Sequence, residues 1–210
     1  MLKVKLWNTQ GSKENQQVLL ETAKEQILAV QEPWLNRQAQ LATYCPAKAQ
    51  FHCIFKPGGR AALYIHKSIP IQYWDAKAEE DWCSITLAKE GFGLERDLTV
   101  WSIYVPPNCP SFPLQKTLFD PEAANILAGD FNLHHPLWDS FERTSPEAPN
   151  LVQLAEDLSL TLRTPLGAVT RAPQGRQRGR PFIIDLFWAS TELETAYGGE
   201  NTRQKSDHYP

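Results

Sequence analysis

The sequence predicts an α/β or α+β sandwich folded as one unit, and three observations predict it. The chain has 210 residues, 42% hydrophobic, 10% aromatic and 21% charged, which is the size and usage of one ordinary globular domain. Such a chain buries roughly 70% of the surface its unfolded form exposes and needs no disulfide staples. Apolar patterning alternates between strand and helix periods in the order strand, helix, strand, several strands, helix, strands. Sixteen prolines and seven tryptophans favour strands broken by ordered loops over a helical bundle. The composition excludes a disordered tail, a coiled coil and a collagen-like repeat, and no internal repeat is visible.

Taken in order, Val4, Leu6 and Asn8 alternate with Lys3, Lys5 and Trp7, a short strand ending near Asn8. Leu19, Leu20, Ala23 and Ile27 recur at helical spacing behind a polar stretch that begins at Ser12, which predicts a helix capped there. Ile27-Leu-Ala-Val30 is a compact apolar run stopped by Gln31-Glu32-Pro33, so a buried strand ends on a carboxylate. Further strands are predicted over Ala61 to His66, Cys83 to Ala88, Leu98 to Val105, Ile126 to Phe131 and Phe182 to Ala189. Leu151, Leu154, Ala155 and Leu158 mark a second helix, with Asn150 and Gln153 placed as a capping pair.

The balance of 21 Lys+Arg against 24 Asp+Glu leaves a net charge of -3, which argues against a surface that is all nucleic-acid footprint. Basic charge is instead concentrated between Arg171 and Arg180, a stretch with four arginines and no acid. Cys45, Cys53, Cys83 and Cys109 show no CxxC pair and no zinc spacing, and read as buried reduced thiols. The N-terminus has no continuous apolar h-region, and no run of about 18 apolar residues occurs, so a soluble intracellular protein is expected.

Strong apolar runs repeatedly end in, or contain, a carboxylate or amide, and a buried charge is costly unless it is paired or bound to a cation. Five places stand out: Asn8, Glu32, the Gly129-Asp130-Phe131-Asn132 stretch, Asp185 inside Ile183-Ile184-Asp185-Leu186-Phe187-Trp188, and Ser206-Asp207-His208. In an extended chain Asp130 and Asn132 point the same way, so a carboxylate and an amide held in parallel can orient a water molecule. The competing reading is an Asx turn at a strand end. Gly129 permits a close backbone approach or an unusual dihedral. Asp185 needs a donor, for which a histidine imidazole is the usual partner in catalysis. His134-His135 has the look of a metal doublet, but neighbours on a strand face opposite ways.

Together and in order, Trp7-Asn8, Gln31-Glu32-Pro33-Trp34, Tyr104-Val-Pro-Pro107, Gly129-Asp130-Phe131-Asn132, Ile184-Asp185 and Ser206-Asp207-His208 resemble the endonuclease/exonuclease/phosphatase superfamily. The strings Gln-Glu-Pro-Trp and Gly-Asp-Phe-Asn-Leu-His-His-Pro-Leu-Trp are similar to the endonuclease domain of LINE-type (non-LTR) retrotransposons. The resemblance implies a DNase-I-like αββα sandwich, two packed mixed β-sheets flanked by helices. It also implies hydrolysis of phosphate esters with a divalent cation, Mg²⁺ or Mn²⁺. Glu32 would be the principal metal ligand, supported by Asn8 and Asp207, because hard oxygen ligands suit Mg²⁺. Asp130, with Asn132, would orient and deprotonate the attacking water. His208, held by Asp185, would neutralise charge on the phosphate, and Tyr104 would touch it. Thr170, Arg171, Arg176, Arg178 and Arg180 fall where the retrotransposon enzymes carry a DNA-contacting hairpin, as phosphate contacts require.

The activity implied is nicking of double-stranded DNA, ahead of a reverse transcriptase domain further along the intact element, with access to the nucleus. A phosphatase or phosphodiesterase of the same fold acting on a small phosphorylated substrate is the alternative enzyme. An inactive retroelement relic is the alternative without catalysis, because the resemblance leads one to expect a further strand after Pro210.

Overall fold

The computed structural model describes residues 2–36, 50–109, 111–139, 144–172, 180–196, 198, 207 and 208. Cys45, Arg176, Arg178 and Ser206 lie outside the described residues. Strands β1 (Val4–Asn8), β2 (Ile27–Gln31), β3 (Phe51–Phe55) and β4 (Ala61–His66) make one sheet in the order β1-β2-β4-β3. Strands β5 (Trp74–Ala78), β6 (Trp82–Leu87), β7 (Leu98–Tyr104), β8 (Ala124–Asp130), β9 (Leu160–Leu162) and β10 (Asp185–Ser190) make the other, ordered β5-β6-β7-β8-β10-β9. Both sheets are mixed: β1 runs parallel to β2 and β7 parallel to β8, and the remaining pairs are antiparallel.

The period-two alternation of side chains builds the layers. In β2 and β4, Ile27, Ala29, Leu63 and Ile65 face the second sheet and meet Val100, Ile126 and Ala128 there. The intervening Leu28, Val30, Ala62 and Tyr64 face outward onto Leu19 and Leu20 of helix α1 (Lys13–Thr22). On the second sheet, Trp101, Ile103, Leu127 and Trp188 face outward onto Leu151, Leu154 and Ala155 of helix α3 (Ala148–Asp157). A one-turn helix α2 (Lys89–Phe92) lies between β6 and β7 in sequence. The result is the helix–sheet–sheet–helix order the resemblance implied, with an apolar layer at each of its three internal boundaries.

Several local expectations need correction. Ser12 caps α1 as predicted, its hydroxyl oxygen accepting from Asn15 N–H at 3.2 Å. The helix stops at Thr22, however, and Ile27 pairs with Val4 in the parallel β1–β2 ladder, its helical spacing from Leu20 being coincidental. Asn150 and Gln153 lie inside α3, which is capped at Glu147 and has Pro149 in its first turn. Asn150 Nδ2 donates back to Glu147 at 2.6 Å, and Gln153 Nε2 donates forward to Asp157 at 3.1 Å. Strand β10 begins at Asp185, and Phe182 forms an isolated bridge with Arg171 instead. Of the cysteines, Cys83 is buried, while Cys53 and Cys109 are half-buried, and all three are free thiols.

Candidate active site

Three of the strands that face the inter-sheet layer, β1, β7 and β8, start apolar and turn polar at one end. In β1 the inward positions read Val4, Leu6, Asn8; in β8 they read Ile126, Ala128, Asp130; in β7 they read Val100, Ser102, Tyr104. Parallel register sets Asn8 beside Gln31 and Tyr104 beside Asp130, and antiparallel register sets Asp185 opposite Asp130. The carboxyl ends of both parallel pairs therefore gather at one end of the sandwich, the usual location of a site in folds with parallel strands. Gly129 makes this approach possible: a Cβ there would lie 2.2 Å from the carbonyl oxygen of Ile103 on β7.

Glu32 follows β2 at φ 45°, a left-handed conformation unusual for a residue with a side chain. Its N–H donates to the Arg60 carbonyl at 2.8 Å, and its own carbonyl accepts from Gly11 N–H at 2.7 Å and Thr9 Oγ1 at 2.9 Å. These bonds hold the strained backbone and turn the carboxylate toward Asn8. Asn8 Nδ2 donates both to Glu32 Oε1 at 2.9 Å and to Asp130 Oδ2 at 2.8 Å, so one amide spans two acids from two sheets. Asn8 Oδ1 accepts from Gln10 N–H at 2.8 Å, which fixes the side-chain amide's direction.

Asp130 is buried, and Oδ1 accepts from Asn132 N–H at 2.9 Å. Asn132 does not extend β8 as a parallel partner of Asp130. Its φ of 46° turns the chain, and its side-chain amide donates to the Val105 carbonyl at 3.0 Å. The Asx turn and the positioning role thus coincide, with Asn132 holding Asp130 through its backbone. Burial and the nearby charge of Asp185 push the Asp130 carboxyl up to about 7, against the opposing pull of His208 and the Asn8 and Asn132 N–H groups.

His208 Nδ1 sits 2.8 Å from Asp185 Oδ2, while Nε2 lies 3.8 Å from Asp130 Oδ2 and 3.5 Å from Asp207 Oδ1. Burial alone would lower the imidazole's pKa, but the charge and hydrogen bond of Asp185, followed by Asp130 and Asp207, raise it to about 9. Asp185 Oδ1 is buried with no hydrogen-bond partner among the described residues. Tyr104 is also buried, and its hydroxyl is raised above the ordinary range by burial and then by the charges of Glu32 and Asp130. The Arg60 guanidinium stacks over the Tyr104 ring at 5.5 Å and is held by a bidentate bond to Asp81 at 2.6 and 2.8 Å.

The structure therefore brings Asn8, Glu32, Tyr104, Asp130, Asp185, Asp207 and His208 together from opposite ends of the chain. Trp7 Nε1 donates to the His208 carbonyl at 3.4 Å across a separation of 201 residues. Asp207 accepts from Gln10 Nε2 and from Arg171 Nε, the latter at 2.9 Å. Thr170 is buried beside the cluster and Arg180 is exposed. His134 and His135 lie in a loop, the first edge-on to Phe182 and the second against Trp138 at ring separations of 5.4 and 5.1 Å. Gln10 and Arg60 carried no signal in the sequence. Gln10 adopts φ 52°, and Arg60 follows an otherwise ordinary Pro-Gly-Gly turn.

Two acid groupings bear on a cation. Asp130, Asp185 and His208 offer ligand atoms all within 4.8 Å of one another, but they are buried and His208 Nδ1 is engaged with Asp185. Mg²⁺ keeps several waters and prefers oxygen donors. The half-buried Glu32 carboxylate, with Asn8 beside it, fits that demand better than the closed histidine cluster.

A helix–sheet–sheet–helix sandwich with acids, an amide and an Asp-backed histidine at the carboxyl ends of its parallel strands is a fold shared with solved nucleases and a phosphatase. The endonuclease domain of TRAS1, a telomere-specific non-LTR retrotransposon, superposes with a TM-score of 0.71 at 16% identity, covering 100% of this chain and 95% of that one. A 3'-5' exonuclease from Neisseria meningitidis superposes with a TM-score of 0.66 at 17% identity, covering 99% of this chain and 97% of that one. The human Nocturnin catalytic domain gives a TM-score of 0.62 at 16% identity, over 99% of this chain and 90% of that one. No curated protein sequence matches. The family model described as endonuclease-reverse transcriptase matches residues 98–210. The chain belongs to that family.

Proposed function

We propose that this chain is a divalent-metal-dependent endonuclease that nicks double-stranded DNA at the target site of a non-LTR retrotransposon. The observation that carries the reading is the single Asn8 amide spanning Glu32 and Asp130 beside an Asp185-backed His208. Family membership, and a fold shared with a retrotransposon endonuclease domain and with an exonuclease, support DNA as the substrate. Such a role requires access to nuclear DNA and a reverse transcriptase acting on the nicked end.

Glu32, with Asn8 and Asp207, would hold Mg²⁺ or Mn²⁺. Held there, the cation would supply Lewis-acid chemistry toward the scissile phosphate and the leaving oxygen. Asp130, poised near neutrality, takes the proton of the attacking water, and the Asn8 Nδ2 and Asn132 N–H bonds, one to each of its oxygens, fix the direction of the carboxylate. His208 is protonated at neutral pH because three carboxylates surround it. Its Nε2–H would neutralise a non-bridging phosphate oxygen as charge grows. The Tyr104 hydroxyl remains protonated and donates toward the same phosphate. Arg180, with Arg176 and Arg178, supplies salt-sensitive contacts to the flanking phosphates.

The test is conversion of supercoiled plasmid to open circle with Mg²⁺, with EDTA and with Asp130→Ala. Nicking only by the unaltered protein with Mg²⁺ is expected, and Asp130→Ala should lose at least about a hundredfold in kcat. Equal activity in all three overturns the reading. Hydrolysis of an inositol phosphate without any nicking would move the substrate to a small molecule.

A further inference from the structure

Residues 170–172 run between two segments of the site. On one side Thr170 N–H and Arg171 N–H both donate to the Phe182 carbonyl, at 3.0 and 3.1 Å, and Phe182 N–H returns a bond to Arg171 at 2.8 Å. On the other side Arg171 is bridged to His208, and Ala172 N–H donates to the Asp207 carbonyl at 2.8 Å. This short stretch therefore forms a rib joining the lead-in to Asp185 with the segment that carries Asp207 and His208.

Its side chains act on the same two partners. Thr170 Oγ1 is buried and accepts from Ile184 N–H and from Asp185 N–H, each at 3.0 Å. Those two bonds fix the backbone from which the Asp185 carboxylate reaches His208 Nδ1. Arg171 Nε donates to Asp207 Oδ2 at 2.9 Å, which holds that carboxylate while its other oxygen lies 3.5 Å from His208 Nε2. Among the described residues, one Asp185 carboxylate oxygen has no hydrogen-bond partner, so the backbone and the bond to the imidazole set its geometry.

We infer that Thr170 and Arg171 are positioning residues, a two-residue clamp that seats both carboxylates around His208. Arg171 thereby serves the reacting groups, and the phosphate contacts fall to the arginines beyond it. This inference rests on the nuclease reading for its kinetic arm alone.

The experiment compares the full chain with Arg171→Gln, Thr170→Val and Thr170→Ser by two readouts. The first is the downfield proton NMR resonance of His208 Nδ1–H, identified by its loss in His208→Gln and independent of any activity. The second is Mg²⁺-dependent plasmid nicking, resolved into kcat and KM. Arg171→Gln and Thr170→Val are expected to shift or abolish the resonance and to lower kcat by about tenfold or more, with KM within about twofold. Thr170→Ser, which keeps the hydroxyl, restores both.

An Arg171→Gln protein with an unchanged resonance and kcat, a raised KM and a weaker salt dependence would make Arg171 a phosphate contact and overturn the clamp. If Thr170→Val fails to fold, the half-exposed Arg171 decides the question alone. A resonance lost in Arg171→Gln while the unaltered protein nicks nothing upholds the clamp and overturns the nuclease reading.

Discussion

Asp130 and His208 both bind their protons more tightly folded than unfolded, and the cause is shared. Burial and Asp185 raise Asp130 from 3.8 to about 7, and Asp185, outweighing burial, raises His208 from 6.5 to about 9. A raised pKa contributes stability that is fully present below the unfolded value and is lost as pH rises through the folded one. For His208 that window runs from 6.5 to about 9. In EDTA, thermal stability should therefore fall as pH rises across the window, and fall less steeply in His208→Gln. A melting temperature that is flat or rising there, or an identical slope in the variant, would contradict the charge arrangement around the imidazole. At this scale, the sequence betrayed Asp185, because a carboxylate among six otherwise apolar residues demands a partner. It left two readings for Asn132, and the Asx turn is the one the backbone adopts: a φ of 46°, which Asn tolerates better than most residues with a side chain, turns its amide onto Val105.

Among the elements, β7 and β8 are the pair on which the site depends, because their parallel register puts Tyr104 beside Asp130. Gly129 is paired with Ile103 in that ladder, and the contact distance leaves no room for a methyl group between them. Gly129→Ala must push the strands apart one residue before Asp130. A loss of roughly 1–3 kcal/mol is expected, as for overpacking generally, measured by urea denaturation. The nicking rate should drop further than the stability loss explains under conditions where the variant is fully folded. A variant with unaltered stability would show that the backbones do not pack this closely. The strands that sequence patterning found, apart from β1, lie inside their sheets. The ones it missed, β3, β5 and β9, are all edge strands. An edge strand is half exposed and short, so its apolar alternation is weak: β5 reads Trp-Asp-Ala-Lys-Ala and β9 has three residues.

Over the whole molecule, the site exists because the inter-sheet layer changes from apolar to polar along its length, and Gln31 and Ser102 mark the change. Both are fully buried, one from each sheet, and Gln31 Nε2 donates to Ser102 Oγ at 2.9 Å while that hydroxyl donates to the Val30 carbonyl at 3.3 Å. Gln31 directly precedes Glu32, so this bond pins the sheet that carries the acid against the sheet that carries Asp130. None of this was legible from Gln31 or Ser102 alone. The ordered motifs from Trp7 to His208 revealed the fold through their resemblance, but the meeting of distant residues is a property of register, which short-range patterning does not carry. Ser102→Ala leaves the Gln31 amide without its acceptor inside the sandwich and should cost about 1–3 kcal/mol. Gln31→Leu with Ser102→Ala replaces both polar groups by apolar ones, and should recover much of that loss in urea denaturation, giving a strongly non-additive cycle. Additive losses would mean the two side chains are satisfied independently, and the junction between the sheets would then have to be held by the packing of Ile27, Ala29, Val100 and Ala128 alone.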